Sequence, residues 1–292
     1  GSIIGGIQTV FQAILYAAKE FMEIIATIAL VTALSKCLID LGSDYLLMTP
    51  MSRIMKNPSV TWWILGITMF LFSLFLWPSP SVALVGAIML PFAIKAGLNP
   101  LAAAIAMNLF GHGFALSYDF VIQGAPAISS SAAGISVTDF LSEGTPVFLV
   151  MGIVTVISAF LIHRKSFAVS PKMIADQDTI SSKPSHFSAA AIFLAILTPL
   201  AFLADIIAMI VFDFSGDSAT SVVSGTALLL MCFGAFFGFK KQSFSKVTSY
   251  ITEGFSFAIR IFAPVIIIGA FFFLGGSGIT EIMGEQFQTG LL

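Results

Sequence analysis

Side chains able to do chemistry are gathered in one part of an otherwise apolar chain. Ser79 and Ser81 alternate with Pro78 and Pro80, and Asn108, the triplet Gly111-His112-Gly113 and the run Ser117-Tyr118-Asp119 follow within forty residues. Hydroxyls, a side-chain amide and backbone N–H groups left open at glycines are donors suited to a carboxylate. His112 and Asp119 are the residues here that can exchange a proton or hold a cation. An ionisable group at membrane depth is costly, about 2.5 to 3.5 kcal/mol for Asp on insertion scales, so it must face protein or water. The same residues also have a plainer reading. Ser and Pro are ordinary turn formers, Asp119 would lie in an external loop, and His112 would be a satisfied structural histidine.

The segments that must position these residues are apolar and of helical length. Residues 60 to 77 and 82 to 96 meet at Pro78-Ser79-Pro80-Ser81, and a third run starting near Asn99 breaks at Gly111-His112-Gly113. In a bilayer the backbone leaves the helix only where protein or a water-filled cavity satisfies its N–H and C=O groups. Two breaks so close together point to a cavity. The first two runs read either as two full crossings or as a re-entrant hairpin entering and leaving on one side. If a half-helix starts at the tip, its N-terminal N–H groups and partial positive charge suit an anion.

Composition sets the class. Only 10% of the residues are charged and 58% are hydrophobic, against about 25% charged in soluble proteins. The chain is therefore expected to be an all-α polytopic membrane protein. A net charge of −2 leaves no footprint for nucleic acid. Cys37 and Cys232 lie in or near apolar helices and suggest neither a disulfide framework nor a metal site.

Taken in order, residues 1 to 18 read as an amphipathic or interfacial helix and 20 to 42 as a span. The hairpin covers 60 to 97, a broken helix 99 to 130, and a further span 143 to 163. A polar loop, 164 to 187, carries Arg164, Lys165, Lys172 and Lys183. Two connecting spans fill 188 to 247, with Asp213 and Asp217 between them, and the segment from 248 onward opens with a long span. Placing Arg53, Lys56 and the other basic loops in the cytoplasm follows the positive-inside bias. It also gives the spans at 20 and 248 opposite directions, as expected if 19 to 163 and 248 to 292 begin two inverted repeats. On that reading the second repeat is only begun. Arg260, inside the last span, is a functional hypothesis by position, while Glu20, Glu23, Asp205 and Glu253 read as interfacial, helix-end or packing residues.

The runs PMSRIMKNPSVTWW, FLWPSPSVALVGAIMLPFAIKAGLNPLAAAIA, GHGFALSYDFVIQGAP and ISVTDF resemble the anaerobic four-carbon dicarboxylate carriers and related organic-anion transporters of the ion transporter superfamily. The resemblance covers roughly residues 20 to 290 and is strongest over 48 to 165. It implies the re-entrant form of the hairpin and a second repeat continuing after Leu292. It also implies that Ser79, Ser81, Asn108, His112, Ser117 and Asp119 form half of a substrate site. Pro78 and Pro80, interleaved with the tip serines, and His112 depart from the family pattern. The expected function is a secondary active transporter of a small organic anion, a carboxylate or dicarboxylate, coupled to protons or sodium. Ser79, Ser81, Asn108, Gly111, Gly113, Ser117 and Tyr118 are the expected substrate-binding residues, and His112 and Asp119 the ion-coupling ones. No enzyme activity and no cofactor are expected beyond a bound sodium; the setting is the inner membrane and the assembly a homodimer. The alternatives are a cation/proton antiporter of the same fold, a membrane scaffold, or an intramembrane enzyme, for which neither G-x-S-x-G nor H-E-x-x-H is present.

Overall fold

The computed structural model describes residues 3–52, 54–121, 123–168, 187–212, 214, 217–275 and 278–283. Arg53, Lys172, Lys183, Asp213 and residues 284–292 lie outside them, as does most of the 164–187 loop. The described chain is all-helical. The helices are α1 (Ile3–Glu20), α2 (Met22–Leu41), α3 (Ser43–Ser52), α4 (Pro58–Leu76), α5 (Pro78–Lys95), α6 (Pro100–Met107), α7 (Gly124–Ala133), α8 (Val137–His163), α9 (Ala189–Phe212), α10 (Asp217–Phe239), α11 (Ser243–Leu274) and α12 (Ile279–Met283). Between α6 and α7 the chain continues as a π-helix over Asn108–Ala115. Among the described residues, four apolar stretches are long enough to cross a bilayer: Met22–Leu41, Val137–Ser166, Ala189–Phe212 and Ser218–Leu274, the last holding both α10 and α11. The protein is a multi-pass membrane protein.

Helix starts follow local chemistry. Asn57 caps α4, its Oδ1 accepting from Val60 N at 2.9 Å, and Asn99 caps α6, accepting from Leu101 N at 2.9 Å; a proline follows each cap. Proline suits this first position because its absent N–H would have no helical partner. A one-residue connection joins α4 to α5. Trp77 adopts φ 66° and ψ 149°, and Pro78 already begins the next helix.

Two bundles result. In the first, α4, α5, α6, the π-segment and α8 pack around Trp62, Leu65, Met69 and Met89, all fully buried. Phe167, beyond α8, stacks on Trp62 with ring centroids 5.5 Å apart, and its carbonyl accepts from Asn99 N at 2.7 Å. This ties the end of α8 to the start of α6. In the second bundle α2 is central, packed by α10 and α9 on one side and by α1 and α11 on the other. The buried faces recur every four residues, Ala219, Val223, Ala227, Met231 and Ala235 on α10 and Tyr250, Gly254, Ala258 and Phe262 on α11, and the small members, Ala219, Ala227, Ala235, Gly254 and Ala258, permit the contact. Close approach through small residues is how helices associate where no hydrophobic driving force separates them from lipid.

The start of α11 lies beside the end of α2, so the two run antiparallel. Asp40 accepts from Lys246 Nζ at 2.6 Å and from Tyr250 OH at 2.8 Å, and Lys36 pairs with Glu253 at 3.4 Å. Several boundaries differ from the sequence expectation. The broken helix does not continue to residue 130, because the chain turns at Tyr118 to Val121 and α7 is a separate helix. Further, α3 was not anticipated, α8 starts six residues before residue 143, and α11 five before residue 248. Ser136, whose Oγ accepts from Asp139 N at 3.0 Å, sets the earlier start of α8.

Candidate functional site

The π-segment decides the geometry. A π-helix bonds i to i+5 and is usually a single-turn insertion at a functional position, whereas this one runs for eight residues, Asn108–Ala115. Its buried side is held by α4. A Cβ on Gly66 would sit within the Phe110 ring, and one on Gly111 would meet Met69 Cε at 2.5 Å and Ser73 Oγ at 3.0 Å. Gly66 leaves room for the Phe110 ring, and Gly111 for the tip of Met69.

The opposite side of the segment borders a cavity of about 330 Å³ lined by Val82, Gly86 and Leu90 of α5 and by Pro100, Ala104, Met107, Asn108 and His112. On α5 the liners recur every four residues, so they share one face. The following helix presents Pro100, Ala104, Asn108 and His112 at the same interval. Because α5 runs away from the Trp77 turn and α6 runs back, Asn108 and His112 lie toward the turn and Leu90 and Pro100 toward the other end. Asn108 is exposed, and His112 is half-buried with its Nδ1 buried and without a hydrogen-bond partner among the described residues. The imidazole thus borders the cavity, while its Nδ1 is turned into the packed interior.

The other expected site residues are placed as follows. Ser79 and Ser81 do not line the cavity; they occupy the first turn of α5. Ser81 is buried, its Oγ donating to Trp77 O at 2.8 Å and its N to the same carbonyl at 3.2 Å. Since Pro78 and Pro80 have no N–H, Ser79 carries the one remaining backbone donor of this turn. The tip is thus poorer in donors than a serine-rich half-helix start would be. Gly113 is exposed, and its carbonyl accepts from Ser117 Oγ at 2.6 Å. Tyr118 OH bonds Thr145 Oγ1 of α8 at 2.8 Å, while its ring packs on Phe120 and Phe148. Asp119 is only 2% exposed, at the turn that ends the broken helix. The structure therefore brings Asn108 and His112 together on the cavity and sets Ser117, Tyr118 and Asp119 one to two turns beyond it.

Comparison with known proteins yields one informative relative. Over 298 aligned residues the chain is 41% identical to the uncharacterized membrane protein YhfA of Bacillus subtilis (strain 168), covering 99% of this chain and 63% of that protein. That relative is a membrane protein. The chain spans less than two thirds of its length, and its description assigns no activity. No family model matches the chain, and no solved structure matches it.

Sequence reasoning located the polar half of the cavity through Gly111-His112-Gly113. It missed the apolar half, because Val82, Gly86, Leu90, Ala104 and Met107 are ordinary helix residues until two faces are brought together. The four-residue spacing of Val82, Gly86 and Leu90 was the available signal.

Proposed function

We propose that this protein is a secondary active transporter of a small organic anion in the cytoplasmic membrane, driven by a proton or sodium gradient. The observation that carries the reading is the long π-segment that turns Asn108 and His112 into a cavity against α5. Irregular backbone at membrane depth is tolerated where it lines a cavity, and transporter sites are commonly built from such discontinuous helices. We read α4 and α5 as a re-entrant hairpin with Trp77 at its tip, since a single residue joins the two helices and α5, Pro78–Lys95 with Pro91 inside it, is 18 residues long, shorter than the roughly 20 residues of a typical full crossing.

The lining narrows the substrate. A carboxylate is held by the Asn108 amide and the His112 imidazole, and an apolar body rests on Val82, Leu90 and Met107. A second carboxylate would meet no donor among the remaining lining residues, and an unpaired buried charge costs several kcal/mol. A monocarboxylate fits this cavity better than a dicarboxylate. Protonation of His112 supplies the counter-charge, so anion binding and proton uptake are coupled at one residue. Asp119, buried where the broken helix ends, is the second ion-coupling group.

The test is a thermal-shift screen of the purified protein against monocarboxylates of increasing chain length and dicarboxylates of matched length, with and without sodium. A ligand that binds only the folded state raises its stability. Monocarboxylates are expected to raise the melting temperature in the wild type and not in His112→Gln. Stabilisation by dicarboxylates alone, or stabilisation that survives His112→Gln, contradicts the reading.

A further inference from the structure

The second bundle contains a buried carboxyl group that the cavity does not use. Asp205, on α9, is 8% exposed. Its Oδ1 accepts from Thr226 Oγ1 of α10 at 2.9 Å, and its Oδ2 is buried without a hydrogen-bond partner among the described residues. Asp205 lies seven residues before the end of α9, and Thr226 nine residues after the start of α10. At about 1.5 Å per residue these are depths of about 10 and 13 Å, well inside a hydrocarbon core about 30 Å thick.

We propose that Asp205, with Thr226, forms a proton-binding site in the membrane interior. An ionised carboxylate here would have one hydroxyl donor and one bare oxygen, whereas isolated charges in apolar surroundings require pairing. Among the described residues none supplies that charge. The ionisable side chains on the helices packed against α9 are Glu23, Lys36, Cys37 and Asp40 on α2, Asp44 and Tyr45 on α3, and Cys232 and, at its first residue, Asp217 on α10. Of those whose side chains are described, all but Asp217, none is bonded to or paired with Asp205. A metal ion needs several ligands, and among the described residues no group of three or more His, Cys, Asp or Glu is placed to hold one. A proton needs only the carboxyl itself: it adds to the bare oxygen, cancels the charge, and leaves Oδ1 as the acceptor Thr226 requires. Thr198, two turns earlier on the same buried face of α9, has an Oγ1 that is likewise buried without a partner. It is the next polar atom a proton leaving Asp205 along α9 would meet.

This proposal rests on the contact between α9 and α10, so its failure leaves the carboxylate cavity untouched. The experiment is pH-difference infrared spectroscopy of the purified protein in lipid bilayers. Wild type is expected to show a carboxylic C=O band that grows as a carboxylate band falls with decreasing pH, and Asp205→Asn to lack that pair. Thr226→Val should keep the pair but shift its C=O frequency, because the hydroxyl bonded to Oδ1 is gone; this variant decides the matter if Asp205→Asn does not fold. Identical difference spectra for wild type and Asp205→Asn overturn the proposal. So do carboxyl bands unmoved by Thr226→Val, or a carboxylate that responds to sodium and never to pH.

Discussion

Replacing Gly254 by alanine tests whether the contact between α2 and α11 is as close as the packing requires. A Cβ built on Gly254 falls on the Ala29 carbonyl oxygen, 2.9 Å from the carbonyl carbon and 3.3 Å from the Cα. All three neighbours are backbone, so no rotamer change relieves the overlap and the helices must separate. Overpacking of this kind costs about 1 to 3 kcal/mol, and the better helix propensity of alanine returns about 1 kcal/mol. The expected net loss is therefore up to about 2 kcal/mol, by the same two terms. Gly225 on α10 is the control, since nothing lies within 4 Å of a Cβ there and alanine should be neutral or stabilising. Thermal unfolding in detergent, followed by circular dichroism, should show Gly254→Ala melting several degrees below the wild type and Gly225→Ala at or above it. A Gly254→Ala protein that melts at or above the wild type would refute the close approach.

Three further outcomes are expected. Asn57→Ala removes the cap on α4, whose side chain accepts from Val60 N at 2.9 Å, and should cost about 1 kcal/mol, read as a lower melting temperature. Burial raises the Asp44 carboxyl above its ordinary value, with backbone bonds from Tyr45 and Asp44 itself opposing. The folded protein then binds the proton more tightly than the unfolded chain, so stability falls as pH rises from the ordinary carboxylate pKa through the raised one; a pH series of melting temperatures should show that fall flattened in Asp44→Asn. Asp119→Asn should fold and remain monodisperse yet no longer respond to an imposed ion gradient in proteoliposome uptake; a gradient response equal to the wild type would move coupling to His112 alone.

The parts of this fold written in local chemistry were legible. The Pro78 to Ser81 interruption marked the junction of α4 and α5, and Gly111-His112-Gly113 marked the break now seen as a π-helix. The turn itself was misplaced by one step. Proline at N1 is a helix starter as well as a turn residue, so Pro78 opens α5 while the bulky Trp77 takes the positive φ. Residues 43–52 contain Pro50 and a mixed polar pattern, which hid α3, and its helicity depends on packing against α2, α5 and α9. Asp205 read as a helix-end or packing residue because its partner, Thr226, comes from another helix. The ionic contacts of Asp40 and Lys36 with α11 were hidden for the same reason, with more than two hundred positions separating the partners.

The central claim is that Asn108 and His112 hold a carboxylate in the cavity against α5, and gradient-driven uptake of a radiolabelled monocarboxylate into proteoliposomes tests it most directly. Ala104 lines that cavity from an exposed position, so Ala104→Trp should fill it without disturbing the core. Wild type is expected to take up the label in response to a proton or sodium gradient, while Ala104→Trp and His112→Ala fail to do so at unchanged melting temperature. Uptake equal to the wild type in both variants would contradict the claim.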